Sequence, residues 1–322
     1  MKIIYLLLIY CLCQSSFSEE KIYRFGIVTK DSNIPFFKSI KKGCLRRAKE
    51  LKNVECLFAE MKAGNSHLQE QAIKDLVSKK VDGIAIAIIN SEFTKRSIEN
   101  YIPKHIPVVT IDADFSKEVL KPNPKIRVSY IGTNNYVLGY ELAKLFVDES
   151  LEANEFCIIS GHRYSFNLNE RIRGFMSYIK KSSKDKYVSN KRCPLYSLES
   201  SDKALSHLVR SLSFKTHDGK PLTVAVMGAW PQTNLKDYIK LTSHVSKKLN
   251  TKVNVFAIDT TSSQIELLKR GHSLGNVGQR PEQMGEMAIE ILLDINKGKK
   301  VEEVNFTGVT KCTPKNYQSC LK

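Results

Sequence analysis

Short motifs that mark nucleotide, zinc and redox sites are absent from this chain. It contains no G-x-x-x-x-G-K-[ST], no G-x-G-x-x-G, no H-E-x-x-H and no C-x-x-C. Phosphate-binding loops, zinc proteases and thioredoxin-like enzymes depend on such spacings. The seven histidines show no spacing typical of metal ligands. We therefore expect neither a metal site nor a cofactor.

Long apolar runs are also missing, because no segment approaches the roughly 20 apolar residues of a membrane-spanning helix. The chain begins with one charged residue, Lys2, followed by a short apolar segment at 3–10 and small residues at 15–18. This order is that of a secretory signal peptide. We assign residues 1–18 to it, with cleavage after Ser18, and expect the mature protein in the periplasm.

Acidic residues are too few to balance the basic ones. The formal net charge is +17, and Lys2 is the only charged residue in 1–18, so the mature chain carries 17 − 1 = +16. A nucleic-acid partner is one interpretation of such a charge. Here the lysines are scattered, and clusters such as 180–186 and 297–300 fall at predicted helix ends without the interleaved aromatic residues of a single-strand binder. We expect a solvated basic surface and no nucleic-acid partner.

Six cysteines remain after the predicted cleavage. In an oxidising compartment, Cys312 and Cys320 could close a small C-terminal loop, and Cys44 could reach Cys56. The full connectivity stays open. Lipidation at Cys11 or Cys13 is an alternative to plain secretion, although the preceding residues make a poor lipobox.

From Tyr23 onward, short β-branched runs alternate with amphipathic segments. This alternation predicts βαβ units and parallel sheets, as in α/β folds. A polar, proline-bearing interval at 116–125 interrupts the pattern, which then restarts near Val128. The length of 322 residues allows two substantial domains, and no domain-length linker separates them. We expect two lobes connected by short crossings.

Two predicted strands end in a carboxylate. Asp112 follows the apolar run 108–111, and Asp259 follows the similar run 253–258. In open α/β sheets, ligands bind beyond the carboxyl ends of the strands. The two residues therefore predict two half-sites, one from each sheet, that face a cleft between the lobes.

One catalytic motif does occur, because residues 271–275 match G-x-S-x-G. In hydrolases this elbow follows a strand and precedes a helix. Here the predicted order is reversed, and no histidine follows His272. We expect Gly271 to end a helix and the chain not to be an enzyme.

Seven fragments, in this order, resemble the type 1 periplasmic binding proteins, close to their ribose- and galactose-binding group. The resemblance runs from about Tyr23 to the C-terminus. The fragments are FGIV with NIPFF (25–28 and 33–37), VDGIAI (81–86), IPVVTID (106–112), YIGTNN (130–135), RIRGF (171–175), FAID (256–259) and GQRP (278–281).

The resemblance implies two Rossmann-like lobes with parallel sheets, flanked by helices and hinged around a cleft. We assign 21–128 plus 280–307 to the N-terminal lobe and 129–279 plus 308–322 to the C-terminal lobe. We expect a monomer.

The resemblance also implies polar site residues. Asp112 and Asp259 match the carboxylates of the two lobes, Arg171 matches the arginine of R-x-x-G-F, and Gln279 matches the glutamine at the second crossing. Arg171 has a structural salt bridge as its alternative role. The hydroxyl rim of a sugar requires charge-assisted partners of this kind.

Aromatic residues complete the predicted site. Phe36 and Phe37 match the pair that sandwiches the sugar ring, although Phe37 could belong to the core instead. Trp230, the single tryptophan, follows the predicted strand 223–227 at the carboxyl edge of its sheet. An indole there can stack on a sugar ring, and packing against its own lobe is the alternative.

Three departures from the ribose binders argue for a different sugar or a sugar-like ligand. They are Ile34 before Pro-Phe-Phe, Ala113 after Asp112, and Ala229 where an asparagine is common. The predicted function is capture of a monosaccharide for the permease of an ABC transporter. The alternative is a ligand-sensing component of chemotaxis or two-component signalling, with a membrane sensor as partner. A lactose-repressor-type regulator is disfavoured, because no helix-turn-helix precedes the lobes.

Overall fold

The computed structural model describes residues 21–61, 65–149, 155–183, 186–250 and 252–321. The predicted signal peptide and its cleavage site lie outside these ranges. Within them, no helix is both long enough and apolar enough to cross a membrane.

The strands and helices alternate along most of the chain. The strands are β1 (Tyr23–Val28), β2 (Val54–Ala59), β3 (Gly83–Ile86), β4 (Val108–Ile111), β5 (Ser129–Thr133), β6 (Glu155–Ser160), β7 (Val188–Ser189), β8 (Leu195–Tyr196), β9 (Thr223–Val226), β10 (Asn254–Ile258), β11 (Gly275–Gly278), β12 (Val304–Thr307) and β13 (Thr310–Cys312). The helices are α1 (Pro35–Leu51), α2 (Ser66–Ser78), α3 (Ser91–Tyr101), α4 (Lys117–Leu120), α5 (Asn135–Glu149), α6 (Phe166–Ser183), α7 (Ser201–Ser211), α8 (Leu235–Leu249), α9 (Ser262–Lys269) and α10 (Pro281–Asn296).

The chain folds into two α/β lobes, as the sequence predicts. The first sheet has the strand order β12-β5-β4-β3-β1-β2, and all of its pairs are parallel. The second sheet has the order β13-β11-β10-β9-β6-β7, with β8 also paired to β6. Only β13 runs antiparallel to its neighbour among the described strands. We call the first sheet with α1–α4 and α10 the first lobe, and the second sheet with α5–α9 the second lobe.

The position of β5 corrects the predicted division after residue 128. That division assigned β5 to the second lobe, whereas β5 pairs with β4 and β12 in the first sheet. Helix α5, which follows immediately, packs against the second lobe, with Leu138 and Phe146 in its core. The first crossing therefore falls between Thr133 and Asn135. Strand pairing across long sequence separations decides this boundary, and the local pattern does not reveal it.

Each sheet has a core on both of its faces. Period-two alternation assigns the residues of a strand to the two sides. In β10, Phe256 and Ile258 pack with α5 and α6, whereas Val255 and Ala257 pack with α7 and α8. In the first lobe, Phe25 and Ile27 lie under α1 and α10, and Val28 belongs to the core under α2 and α3. Helices packed on both faces of each sheet therefore fix the carboxyl ends of its strands.

Three disulfides pair all six cysteines of the described residues. Cys44 joins Cys56, Cys157 joins Cys193, and Cys312 joins Cys320. The first bond connects α1 to β2, and the second connects β6 to the segment before β8. The two pairings expected from sequence are therefore present, and the third follows from the fold.

Candidate functional site

The first half of the site is the turn that follows β4. Asp112 is the residue directly after this strand and is 9% exposed. Its φ of 63° lies in the left-handed region, which is uncommon for residues other than glycine. The Asp112 N–H donates to the Ile131 carbonyl on β5 at 2.9 Å. The neighbouring strand therefore fixes the Asp112 carboxylate at the carboxyl edge of the first sheet.

The second carboxylate of this turn, Asp114, has a different role. The Arg127 guanidinium is 2% exposed and donates to both carboxylate oxygens of Asp114, with its shortest contact at 2.7 Å. The Thr110 hydroxyl also donates to Asp114 at 2.7 Å. Asp114 is therefore neutralised inside the first lobe, which leaves Asp112 as the candidate ligand-binding carboxylate of this turn.

Lys30 is a further candidate site residue, which the sequence prediction did not include. It follows β1 by two residues, and its Nζ lies 3.5 Å from Asp112 Oδ2. Like Asp112, Lys30 follows a strand at the carboxyl edge of the first sheet, so its position was predictable from the sequence. The lysine brings three hydrogen-bond donors to the same edge and partly neutralises Asp112.

Tyr130 stabilises the Asp112 turn through a hydrogen bond. Its hydroxyl donates to the Asp112 carbonyl oxygen at 3.0 Å. Burial raises the pKa of Tyr130 well above its usual range, and the charges of Asp112 and Asp114 act in the same direction. The phenol consequently stays protonated and remains a donor.

The second half of the site is the turn after β10. Asp259 has a φ of 78°, and its N–H donates to the Val277 carbonyl on β11 at 2.9 Å. Gln279 Nε2 donates to Asp259 Oδ1 at 2.9 Å. The Ala229 N–H also donates to the carboxylate. This arrangement brings the predicted residues Asp259 and Gln279 into direct contact.

Charges from both halves of the candidate site act on the pKa of Asp259. Desolvation raises the pKa of Asp259, whereas the Arg171 charge and the Gln279 hydrogen bond lower it in part. The charge of Asp112 raises this pKa further. Asp112 and Asp259 follow strands of different sheets, so this interaction means that the two strand ends lie near each other.

Arg171 lies on α6 and is 5% exposed. Its Nε donates to Asn135 Oδ1 at 2.8 Å, and its Nη1 donates to the Met227 carbonyl at 2.8 Å. These neutral partners orient the guanidinium without a salt bridge to a described acid. Helices α5 and α6 can approach this closely because Gly139 has no side chain, since a Cβ there would lie 1.9 Å from the Arg171 carbonyl oxygen. Asn135 is a second residue that the prediction omitted.

The two predicted phenylalanines differ in burial. Phe37 is 5% exposed and belongs to the core of the first lobe. Phe36 is half-buried and meets Phe37 edge to face, with ring centroids 5.3 Å apart. Phe36 therefore offers the more accessible ring at the start of α1.

Trp230 occupies a 3-10 turn, Trp230–Gln232, between β9 and α8. It is half-buried and packs against both cores of the second lobe. Its neighbour Ala229 is the residue whose N–H binds Asp259. The indole is thus anchored on its own lobe and adjacent to the second half of the site.

The G-x-S-x-G serine cannot act as a nucleophile here. Ser273 is 1% exposed, and its hydroxyl contacts the Val255 carbonyl and Asn276 Oδ1 at 3.2 Å each. Gly271 has a φ of 70° and follows Arg270, the C-cap residue of α9, so it ends a helix as predicted. The motif is structural.

The cleft residues supply hydrogen-bond acceptors from two carboxylates and donors from Lys30, Arg171 and Gln279. Such a set suits a neutral polyhydroxyl ligand, because each hydroxyl both donates and accepts. Two cavities of about 470 and 440 Å³ lie elsewhere, beside Asp82 and between α7 and α8, and neither is lined by these residues.

Comparison with known proteins gives concordant matches. A family model described as a periplasmic binding protein domain matches residues 25–300. The D-allose-binding periplasmic protein of Escherichia coli (strain K12) is 24% identical over 278 residues, which cover 86% of each chain. The ribose import binding protein RbsB of Bacillus subtilis (strain 168) is 23% identical and covers 90% of this chain and 87% of its own. The crystal structure of an ABC transporter solute binding protein from Burkholderia graminis C4D1M, in complex with D-arabinose, superposes with a TM-score of 0.76. Its identity is 26%, and the match covers 94% of this chain and 98% of that chain.

Proposed function

Because this chain belongs to the family of periplasmic binding protein domains, we propose that it captures a monosaccharide or sugar-like ligand between its lobes for an ABC transporter. The chain is a binding protein and not an enzyme. The observation that supports the proposal is that Asp112 and Asp259 follow strands of two different sheets and that the charge of Asp112 acts on Asp259.

The ligand is held by residues from both lobes in this proposal. Carboxylates accept from sugar hydroxyls, and the cationic and amide side chains donate to them, which gives charge-assisted hydrogen bonds in a partly desolvated cleft. Aromatic side chains cover the apolar faces of the ring. The proposed ligand-binding residues are Lys30, Phe36, Phe37, Asp112, Arg171, Trp230, Asp259 and Gln279.

The proposed location is the periplasm, and the proposed partner is the permease of an ABC transporter. Three disulfides favour an oxidising compartment such as the periplasm, which supports export by the predicted signal peptide. The permease of an ABC transporter is the proposed partner, since the Burkholderia graminis relative is described as an ABC transporter solute binding protein. A role in ligand sensing is the competing function, with a membrane sensor as partner.

A thermal-shift screen tests binding directly. The mature protein is mixed with D-allose, D-ribose, D-arabinose, D-glucose and D-galactose in separate wells. A sugar at 100 times its Kd stabilises the folded state by about 2.7 kcal/mol, so a true ligand raises the Tm clearly. Asp112→Asn should abolish most of this rise, and Asp75→Asn, on the outer side of α2, should preserve it.

Uptake of the labelled sugar separates transport from sensing. Cells that lack the chain should lose high-affinity uptake if it serves a transporter, and complementation should restore it. Normal uptake together with a lost transcriptional or chemotactic response would favour the sensing function. A screen in which none of the five sugars raises the Tm would contradict sugar capture.

A further inference from the structure

Positive φ values outside glycine fall into three groups in the described chain. Three such residues lie at helix C-termini, where left-handed backbone commonly ends a helix; they are Lys52, Lys80 and Asn250. Asp112 and Asp259, the cleft carboxylates, form the second group. The third is the consecutive pair Leu198 and Glu199, with φ of 56° and 61°. No helix end accounts for this pair.

The pair lies at the same sheet edge as Asp259. It follows β8, which runs parallel to β6. The Ser197 N–H donates to the Ser160 carbonyl at 2.8 Å, and the Leu198 N–H donates to the Gly161 carbonyl at 3.2 Å. The Ser200 hydroxyl then caps α7. The turn is therefore held at both ends in a conformation that costs free energy, and such conformations cluster at binding sites.

The Glu199 side chain converges with the indole of Trp230. A Cβ added to Gly161 would lie 2.5 Å from Glu199 Cγ and 3.1 Å from Trp230 Cη2. The side chains of Glu199 and Trp230 therefore pack against Gly161, and a larger residue at this position would collide with them. Glu199 is exposed and forms no salt bridge with another described residue. Its carboxylate is free to accept hydrogen bonds.

We propose that Glu199 is a specificity-determining residue of the cleft, whose carboxylate accepts from hydroxyl groups of a sugar that stacks on Trp230. This inference rests on the proposed function. Glu199 and Trp230 both pack over Gly161. Trp230 directly follows Ala229, whose backbone N–H interacts with Asp259, so Glu199 lies on the same side of the second lobe as this carboxylate. The favoured ligands are fully hydroxylated monosaccharides, and sugars that lack the hydroxyl facing Glu199 bind less tightly.

Calorimetry with matched sugar pairs tests the selectivity. The pairs are D-ribose with 2-deoxy-D-ribose, D-glucose with 2-deoxy-D-glucose, and D-galactose with its 6-deoxy form, D-fucose. Glu199→Gln should weaken binding of the preferred full sugar roughly tenfold, because a hydrogen bond to a charged group is lost. It should also reduce the ratio between at least one full sugar and its deoxy partner. Glu50→Gln, on the outer helix α1, should change neither quantity.

Melting curves without sugar test the backbone argument separately. Glu199→Gly should raise the Tm and weaken sugar binding, because glycine adopts positive φ without the steric cost. Lys80→Gly is the matched control, since it should raise the Tm and leave binding unchanged. A lower Tm in Glu199→Gly would overturn the argument from strain.

The binding outcomes separate the two proposals. If the parent binds a sugar and Glu199→Gln binds it equally well with unchanged ratios, the role of Glu199 is wrong and the proposed function stands. If the parent binds none of these six sugars and neither D-allose nor D-arabinose, both proposals fail.

Discussion

Lys117 Nζ lies 5.2 Å from the centre of the Phe166 ring, and this contact joins the two lobes. Lys117 begins α4 of the first lobe, and Phe166 begins α6 of the second. Arg173 lowers the pKa of Glu170, on the next turn of α6, and the charge of Lys117 adds to this effect. The contact therefore forms only while the lobes are close together.

Ligand binding should accompany closure of the lobes, because each lobe supplies half of the site. Small-angle scattering should show a smaller radius of gyration at saturating sugar. Lys117→Ala should weaken sugar binding a few-fold, since an exposed cation–π contact contributes about 0.5–1 kcal/mol to the closed form. Lys121→Ala, on the same segment, should leave affinity unchanged. An identical radius of gyration with and without sugar would argue against a hinged clamp.

Asp259→Asn should raise the Tm of the sugar-free protein at neutral pH while it weakens sugar binding. The pKa of Asp259 is raised above the ordinary value of 3.8 by desolvation, so the folded state binds this proton more tightly than the unfolded chain. The free energy of unfolding therefore falls as the pH rises from that ordinary value through the raised pKa. The asparagine removes this loss, and each kcal/mol regained should raise the Tm by about 2–4 °C.

The measurement is a series of melting curves from acidic to neutral pH. Parent and variant should converge at low pH, where Asp259 is protonated in both the folded and the unfolded parent. If Asp259→Asn has a lower Tm than the parent at neutral pH, the folded state stabilises the ionised form of Asp259, and the predicted direction is wrong.

Asp112→Ala should cost roughly 2–5 kcal/mol of sugar binding, as expected when one partner of a buried charge-assisted hydrogen bond is removed. Because Lys30 Nζ is 3.5 Å from the same carboxylate, the variant also leaves this lysine without its partner. Calorimetry on Lys30→Ala, Asp112→Ala and the double variant should give a non-additive cycle. Full additivity would mean that Lys30 and Asp112 act independently on the sugar.

Trp230 should report binding through its fluorescence, because it is the single tryptophan of the chain. Its half-buried indole lies beside the residue whose N–H binds Asp259, so a bound sugar changes its surroundings. Trp230→Phe should remove the signal and weaken binding by about 1–3 kcal/mol. A sugar that does not shift the Tm serves as the control. Parent-like affinity in both Trp230→Phe and Trp230→Ala would place this residue outside the site.

Much of the fold, and two residues of the candidate site, can be predicted from local sequence patterns. Strand β2 and helix α3 have the predicted bounds, because their apolar periodicity and flanking polar residues are local signals. The strand-end rule predicts Asp112 and Asp259 as site residues from the sequence alone. Short elements were missed, since two to four residues carry too little periodicity; they are α4, β7, β8, β12 and β13.

Local sequence patterns are enough to predict the alternation of strands and helices and a carboxylate at two strand ends. The pairing of Asp114 with Arg127, the approach of Lys30 to Asp112 and the place of β5 in the first sheet appear only in the folded chain. The same holds for the left-handed backbone of Leu198 and Glu199. Periodicity records which face of an element is buried, whereas pairing, charge neighbours and strained turns depend on segments far apart in the chain that folding brings together.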